Sequence, residues 1–368
     1  MKIAIGMDVH AKKSSAHAVY AGIGDMPERH EKLLSSFNKE FGEFPSDGEG
    51  MQKMASFLSK HECHVLIENS TKSHEIYWIL KNLGLDVTVA QAADLYRITK
   101  SVKKTDRHDS VELAGYMRRR LNGENEFAEC FIPSPEWMMK RELCRGLINE
   151  RRYLKDTKLR IRAHLLLHGI HLSREYDDIT AVKAMKELTE FKDPYLMMQI
   201  KFAQDAKKRI AFIEKTIAYM FSENSMYKLL ISIPGIGLTT ASYLTTLVVD
   251  IGRFQTRSQF TASFGVVPKM RASADHNPNC STTHRGDEQA RELLMNCVLS
   301  HVTCVEDSVV TEMYRRLVKR GKPKREAQIA AVRKLLTVVW SVLKNNRPYV
   351  CSPELLKKAR ELEGTEES

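Results

Sequence analysis

The stretch KIAIGMDV, residues 2–9, decides how the N-terminal part of the chain folds. Its near-continuous run of apolar residues predicts a buried β-strand. Asp8 lies inside this run, where an ionised carboxylate is costly unless it is hydrogen-bonded, paired or bound to a cation. The sequence therefore predicts a buried strand that carries an acidic group close to its end.

Strand and helix patterns alternate from this stretch to about residue 120. The expected strands are 2–9, SSAHAVYA (14–21), KLLSSFN (32–38), HVLIE (64–68) and DVTVAQ (86–91). The expected helices are GEGMQKMASFLSK (48–60), SHEIYWILKNLG (73–84) and DRHDSVELAGYMRRRL (106–121). Three strands followed by helix, strand, helix, strand and helix is the element order of an RNase H-like α/β domain. We expect this domain to span residues 1–122.

The composition favours a polyanionic partner. Lysine and arginine outnumber aspartate and glutamate by 57 to 46, which gives a formal charge of +11 and a pI near 9.2. Such an excess is typical of nucleic-acid binding, although anionic membranes also attract it. The sequence shows no signal peptide and no apolar run of bilayer length, and its seven cysteines are dispersed without a C-x-x-C pair. We therefore expect a reduced, cytosolic protein that does not enter a membrane.

Long basic helices are expected after a polar linker that ends near residue 134. Pro135 is suited to the first position of the next helix. Leu147, Leu154 and Ile161 recur every seven residues, so this helix could form a coiled-coil seam of a dimer or pack only within its own chain. A second long helix, from Pro194 to about Phe221, is expected to pack against the first. We assign 134–222 to this helical region, 225–350 to a mainly helical C-terminal domain and 351–368 to an acidic tail.

Four carboxylates fall at positions that suit a metal site. Asp8 and Glu68 lie at the ends of predicted strands, and strand C-termini face the ligand crevice in open α/β sheets. Asp106 and Asp109 lie three apart at a helix start and share a face. Converging carboxylates repel one another unless a cation is present, and oxygen ligands suit Mg²⁺ or Mn²⁺. Each residue alone also has a structural interpretation, with Asp106 as a helix cap and Asp8 as a buried, hydrogen-bonded aspartate.

The C-terminal region contains two further candidate motifs. In 229–248, LLISIPGIGLTTASYLTTLV, Gly235 and Gly237 are typical of a helix–hairpin–helix turn that offers backbone N–H groups to a DNA phosphate. In 264–294 a loop precedes an amphipathic helix and brings a serine together with several cations. The candidates there are Ser273, Lys269, Arg271, Arg285 and Arg291. Composition alone does not separate Ser273 from the nearby Ser281 or Thr282.

Several of these segments resemble one known family. GMDVHAKKSSAHAV (6–19), VLIENS (65–70) and KKTDRHDSVELA (103–114) are similar to the D-V-H/S, E-x-[ST]-G and K-T-D-x-x-D-A motifs of the DEDD insertion-sequence transposases. This is the one-ten family, which includes pilin-gene invertases and RNA-guided bridge recombinases. The resemblance extends over nearly the whole chain. It implies a Mg²⁺-binding tetrad of Asp8, Glu68, Asp106 and Asp109 on a RuvC-type fold.

The same resemblance assigns a nucleophile. Residues 264–294 are similar to the family's G-L-x-P-x-x-x-x-S-G … G … R-G-x-x-x-x-R stretch, and Ser273 falls on the catalytic serine. Ala274 and Cys280 replace glycines of that pattern. The resemblance implies that Ser273 attacks a DNA phosphate, assisted by the metal-bearing tetrad, in a homodimer or homotetramer. Whether a structured guide RNA takes part, and whether the outcome is transposition or inversion, stays open.

Three alternatives remain at this point. A metal-dependent nuclease or junction resolvase could use the same fold with an inert Ser273. An actin-like sugar kinase would need a glycine-bearing phosphate loop after Asp8, which DVHAKKS lacks. A non-catalytic DNA-binding scaffold would function without Asp8 and Glu68.

Overall fold

The computed structural model describes residues 1–22, 24, 26–95, 106–267 and 286–350. The chain divides into two compact units, Met1–Ser134 and Pro135–Ser368. Within the described residues there are five β-strands in one mixed sheet and thirteen α-helices. The α/β class with a largely helical remainder is therefore confirmed. The finer division into domains 1–122, 134–222 and 225–350 stays a prediction.

The N-terminal unit is built around a sheet of order β3-β2-β1-β4-β5. Its elements are β1 (Lys2–Val9), β2 (Lys13–Tyr20), α1 (Glu28–Glu40), β3 (Phe44–Pro45), α2 (Gly48–Phe57), β4 (Glu62–Glu68), α3 (Ser73–Asn82), β5 (Asp86–Ala90) and α4 (Asp106–Leu121). Strands β1, β2 and β3 are antiparallel neighbours, whereas β1, β4 and β5 run parallel. The central strand is therefore the acidic strand β1.

The predicted strand KLLSSFN (32–38) is wrong, because this segment belongs to helix α1. Leu34 and Phe37 lie three residues apart and are both buried, with Phe41 four residues further on. That spacing is helical and places the three side chains on one face. The third strand is instead the two-residue β3, where Phe44 pairs with Ser14.

The two faces of β1 carry different side chains. Ile3, Ile5, Met7 and Val9 point into a core shared with α1, α2 and α3. The alternate residues, Ala4, Gly6 and Asp8, belong to the other face because side chains alternate along a strand. Ala4 packs there with Leu66 of β4 and with Leu113 and Met117 of α4. On this second face the side chains are small in the first half of β1, and an acidic side chain lies near its C-terminal end.

Gly6 allows α4 to lie with its backbone directly on β1. A Cβ atom at Gly6 would lie 2.1 Å from the backbone nitrogen of Ala114 and 2.2 Å from the carbonyl oxygen of Ser110. Neither atom can move without displacing the helix. The first turn of α4 is thereby held over the C-terminal half of β1.

The C-terminal unit is helical throughout its described part. Its helices are α5 (Pro135–Leu167), α6 (Val182–Glu190), α7 (Pro194–Phe221), α8 (Ser225–Ile231), α9 (Leu238–Val248), α10 (Arg257–Ser263), α11 (Glu288–Cys304), α12 (Val309–Lys319) and α13 (Lys324–Lys344). The long helices α5 and α7 pack against each other, as predicted. Ile161 of α5 shares a buried cluster with Leu196 and Ile200 of α7. A coiled-coil seam between subunits stays a prediction.

Helix α9 lies at the centre of this unit and is buried along nearly all of its length. Its hydroxyl groups bond back to the helix itself: Ser242 Oγ donates to the Leu238 carbonyl at 2.8 Å, and Thr245 Oγ1 to the Ala241 carbonyl at 2.8 Å. These bonds satisfy polar side chains that would otherwise be costly to bury. In the described part of the chain no single helix has the length and composition to cross a membrane; only α11 and α12 together, bent by 94°, meet those two requirements.

The close approach at Gly6 generates a test of the fold. Gly6→Ala is expected to destabilise the N-terminal unit by about 3 kcal/mol, because its methyl group meets backbone atoms that have no room to move. Gly48→Ala is the matched control, since a Cβ there meets nothing within 4 Å. The control should be neutral or more stable by up to about 1 kcal/mol. Urea unfolding followed by circular dichroism, with hydrogen exchange of α4, measures both. Equal stability of the two variants would contradict the placement of α4.

Candidate functional site

Asp8, His10 and Asp106 form a cluster at the C-terminal end of β1. His10 Nε2 lies 3.2 Å from Asp8 Oδ2 and 3.4 Å from Asp106 Oδ1. One donor atom from each of the three residues lies within 4.8 Å of the others. The Asp8 side chain is 16% exposed, whereas those of His10 and Asp106 are 56% and 66% exposed. The cluster is therefore anchored in the sheet and open on its outer side.

The start of α4 brings acidic groups to this position. Asp106 and Asp109 lie in the first helical turn, where the helix dipole favours negative charge. Ser110 fixes that turn because it is fully buried and its hydroxyl lies 3.1 Å from that of Ser15 on β2. Ser15 is the antiparallel partner of Asp8. The hydrogen bond thus holds the helix start beside the acidic end of β1.

The charges in the cluster oppose the ionisation of Asp8. Burial raises the pKa of Asp8 above its ordinary value, and the carboxylates of Asp106 and Asp109 raise it further. His10 acts in the opposite direction through its charge and its hydrogen bond. Asp109 therefore interacts electrostatically with Asp8, although it lies outside the group of three close donor atoms. A cation at this position would relieve the repulsion.

Glu68 is the last residue of β4, the parallel neighbour of β1. Met7 lies opposite Ile67 in the parallel register of β1 and β4. Asp8 and Glu68 are the next residues of the two strands, so they are also neighbours and lie on the same face of the sheet. The glutamate is half-buried. Among the described residues, the set of three close donor atoms does not include it. The structure thus brings Asp8 and Asp106 together closely and places Glu68 at the adjacent strand end.

His10 was not among the predicted site residues. It follows β1 by one position and shares the parity of Asp8, two residues earlier. The signal was present in the motif D-V-H, because alternate residues of an extended segment lie on one side. A histidine after a strand is common, and the contact of His10 with Asp106 joins residues far apart in sequence, so the local pattern does not distinguish it.

The predicted hairpin turn lies between α8 and α9. Gly235 has a φ of +85°, and a Cβ there would lie 2.6 Å from the carbonyl oxygen of Cys297, so only glycine fits. Gly237 precedes α9 as its N-cap residue, with a φ of −95°. Burial lowers the pKa of His301, whose neutral ring donates from Nδ1 to the Pro234 carbonyl at 2.8 Å. The turn is therefore held against α11.

Arg291 binds backbone carbonyl groups on both sides of the segment expected to carry the serine. Its Nη1 donates to the carbonyl oxygen of Gly286 at 3.0 Å and to that of Phe264 at 3.4 Å. Gly286, at φ +125°, would place a Cβ 2.4 Å from the carbonyl oxygen of Ser263. Arg291 thus ties the end of α10 to the start of α11. The other predicted residues of this segment lie outside the described residues: Ser273, Lys269, Arg271 and Arg285.

A buried polar network fixes the start of α11. Asp287 caps the helix by accepting from the backbone N–H of Ala290 at 2.9 Å. Its other oxygen accepts from the Tyr243 hydroxyl at 2.7 Å and from Arg145 Nη2 at 2.8 Å. These hydrogen bonds hold the pKa of Asp287 below its ordinary value despite burial. Helices α5, α9 and α11 are therefore joined at one charged group.

The comparisons with known proteins fit this arrangement. The model described as "Transposase IS116/IS110/IS902 family" matches residues 227–315. The putative transposase y4qE of Sinorhizobium fredii is 22% identical over 336 residues, 83% of this chain and 82% of that protein. The pilin gene-inverting protein of Moraxella bovis is 22% identical over 318 residues, 83% of this chain and 89% of that protein. The transposase of insertion sequence element IS1328 from Yersinia enterocolitica is 28% identical over 249 residues, 66% of this chain and 72% of that protein.

These similarities identify the chain as an enzyme that recombines DNA, of the transposase class. Its C-terminal part matches the model of the IS116/IS110/IS902 family, and the proteins similar to the chain include insertion-sequence transposases and pilin gene-inverting proteins. The family assigned from the sequence motifs is thereby confirmed.

The raised pKa of Asp8 predicts that Asp8→Asn stabilises the cation-free protein. Above the ordinary value of 3.8 the folded state retains a proton that the unfolded chain releases, so stability falls as the pH rises through the folded pKa. Asparagine removes this loss, and the variant should melt at a higher temperature at neutral pH in a chelating buffer. Asp156→Asn, at an exposed position of α5, is the control and should change little. If Asp8→Asn melts at the same temperature as the wild type, the ionised Asp8 side chain does not destabilise the folded protein.

The contacts of Arg291 predict that Arg291→Ala loosens the stem formed by residues 264–267 and 286–287. Losing a charged hydrogen-bond donor should speed amide hydrogen exchange at Gly265 and Gly286 by roughly ten- to a hundredfold. Arg315→Ala, at an exposed position of α12, removes the same charge and should leave exchange at both glycines unchanged. Mass-spectrometric hydrogen exchange measures both variants, and equal exchange would show that Arg291 does not hold the stem.

Proposed function

We propose that this protein cuts and rejoins DNA with Ser273 as the nucleophile and with a Mg²⁺ or Mn²⁺ site formed by Asp8, Glu68, Asp106 and Asp109. The observation that carries the proposal is the convergence of Asp8, His10 and Asp106 at the end of β1, with donor atoms within 4.8 Å of one another. The motifs of the family and the similarity to named transposases support it.

The donor groups of the cluster fit a hard divalent cation. Asp8 and Asp106 offer carboxylate oxygens, which Mg²⁺ and Mn²⁺ prefer. Burial raises the pKa of Asp8, and the neighbouring carboxylates of Asp106 and Asp109 raise it further, which is the arrangement that a bound cation would stabilise. When bound, the cation would supply Lewis-acid stabilisation of phosphate charge. The protein itself holds Asp8 on the rigid sheet and Asp106 at a helix start tied to β1 through Gly6. Glu68 lies at the neighbouring strand end and would complete the set.

The sheet supports an RNase H-like fold for the N-terminal unit. In its order β3-β2-β1-β4-β5, three antiparallel strands are continued by two parallel ones, and the alternation of helix and strand after β3 is the one expected from the sequence. The acidic groups lie at the C-terminal end of β1 and beside that of β4, where open α/β sheets bind ligands.

The serine reaction is a phosphoryl exchange that conserves bonds. Ser273 Oγ would lose its proton and form a bond to phosphorus while a phosphorus–oxygen bond of the DNA breaks, and the leaving sugar hydroxyl takes up a proton. The phosphoserine linkage keeps the energy of the phosphodiester, so a second sugar hydroxyl can reverse the step on another strand. Nearby cations would stabilise the charge that develops on the phosphate oxygens.

The C-terminal unit would position DNA and assemble the active oligomer. We assign DNA contacts to the hairpin turn at Gly235 and Gly237 and to the cations of the serine segment, Lys269, Arg271, Arg285 and Arg291. A net charge of +11 supports a nucleic-acid partner in the cytosol. The paired helices α5 and α7 would extend to a dimer or tetramer. A structured guide RNA is a further candidate partner, because the family that the motifs resemble includes RNA-guided bridge recombinases.

The experiment that tests the proposal separates serine chemistry from metal-dependent cleavage. Ser273→Ala should abolish both the covalent protein–DNA adduct and strand transfer on supercoiled DNA that carries the element ends, while DNA binding persists. Ser281→Ala, a hydroxyl removed from the same segment, should keep both activities. Asp8→Ala should also lose strand transfer if the carboxylates take part in the reaction.

Each alternative gives a different result. A nuclease or resolvase would retain metal-dependent strand cleavage after Ser273→Ala and would form no covalent adduct. A scaffold without catalysis would tolerate Asp8→Ala. Denaturing gel analysis of the adduct, together with sequencing of the joined strands, distinguishes the three.

A further inference from the structure

An open groove of about 820 Å³ lies between α10, α12 and α13 in the C-terminal unit. Its lining includes the cations Arg257, Arg333 and Lys334, and no described residue that lines it is acidic. Its apolar part is formed by residues such as Met313 and Leu317 of α12. The groove therefore combines positive charge with an apolar wall, and nothing in the reaction described above uses it.

Arg333 is the residue of the groove that most favours a bound anion. Its side chain is half-buried in the groove wall, and burial lowers the pKa of the guanidinium. Within residues 1–22, 24, 26–95, 106–267 and 286–350, no hydrogen-bond acceptor or carboxylate meets this guanidinium. Other partly buried arginines of the unit do have acceptors: Arg145 bonds to Asp287, and Arg141 to the Thr246 carbonyl at 2.6 Å. A partly desolvated cation that has no protein acceptor is stabilised when an anion binds to it.

Arg257 supplies a second cation from another element. It is the first residue of α10, and its side chain is exposed. The exposed hydroxyl of Ser258 follows it in the same helical turn. Guanidinium groups from α10 and α13 thus line one groove from two sides, which suits a chain of phosphates better than one small anion.

The groove also begins where the serine segment begins. Val267 lines it, and Ser273 follows six residues later in the chain. Six residues span at most roughly 20 Å. The length of this connection therefore allows Ser273 to reach a strand bound in the groove.

We propose that this groove binds the phosphodiester backbone of a DNA strand, with Arg333 and Arg257 bonded to phosphate oxygens. The inference rests on the proposed function in so far as it names the place where the substrate strand is held. Contacts to phosphates position a strand without recognising its sequence. The groove is a different surface from the one around Arg291, whose Nη1 donates to the carbonyl groups of Gly286 and Phe264.

The test uses four variants that each remove one positive charge. Arg333→Gln and Arg257→Gln alter the groove, whereas Arg325→Gln and Arg315→Gln alter exposed positions of α13 and α12 that do not line it. Affinity for a labelled DNA duplex is measured by fluorescence anisotropy over a range of salt concentrations. Each groove variant should bind roughly ten- to a hundredfold more weakly, as expected for a lost charged hydrogen bond. The slope of log K against log salt should fall by about one in magnitude.

The two control variants should lose less than about threefold, because a single exposed charge contributes little. Unchanged binding by both groove variants, or an equal loss in all four, would overturn the inference in favour of a diffuse basic surface. Circular dichroism checks the folding of Arg333→Gln. If that variant misfolds, the exposed Arg257→Gln decides.

The binding measurements on the groove variants can be interpreted independently of the proposed serine chemistry. Ser273→Ala is expected to bind DNA as the wild type does, so its strand-transfer assay reports on the nucleophile alone. Weak binding by the groove variants, together with strand transfer by Ser273→Ala, would sustain the groove and reject the serine. Normal binding by the groove variants, together with a lost adduct in Ser273→Ala, would reject the groove and sustain the serine.

Discussion

The N-terminal unit depends on the contact between the backbone of α4 and the backbone of β1 at Gly6. A helix can come this close to a strand only where the strand has no side chain, and any Cβ at Gly6 would collide with Ala114 and Ser110. The contact sets the position of the first turn of α4, which carries Asp106. The distance between Asp106 and Asp8 thus depends on Gly6, a residue that has no side-chain functional group.

The same contact creates an electrostatic cost. Acidic residues gather at one end of the sheet in a protein whose net charge is +11. Burial raises the pKa of Asp8, and the carboxylates of Asp106 and Asp109 raise it further. The helix dipole and the imidazole of His10 compensate in part. A stability optimum would place an asparagine or an apolar residue at Asp8. Retaining a carboxylate there is the pattern expected of a site that is organised for a ligand.

The C-terminal unit differs from the N-terminal unit, because its buried polar groups described above have hydrogen-bond partners and its buried carboxylate is paired with an arginine. Asp287 meets both Tyr243 and Arg145, and His301 joins the hairpin turn to α11. These contacts fasten the two ends of the segment between α10 and α11 to a rigid helical core. Arg333 has no such match among the described residues.

Local patterns predicted much of the fold and part of the site. The amino-acid sequence by itself determined the central strands, the bounds of α4 (Asp106–Leu121) and the pairing of α5 with α7, because apolar periodicity and capping residues act over a few neighbours. It failed at α1, where Leu34 and Phe37 suit either a strand or a helix until packing selects one. Only the tertiary structure decided that His10 reaches Asp106, that Arg291 ties Phe264 to Gly286, and that Arg333 and Arg257 line one groove. Those contacts join residues far apart in the chain, and no local spacing records them.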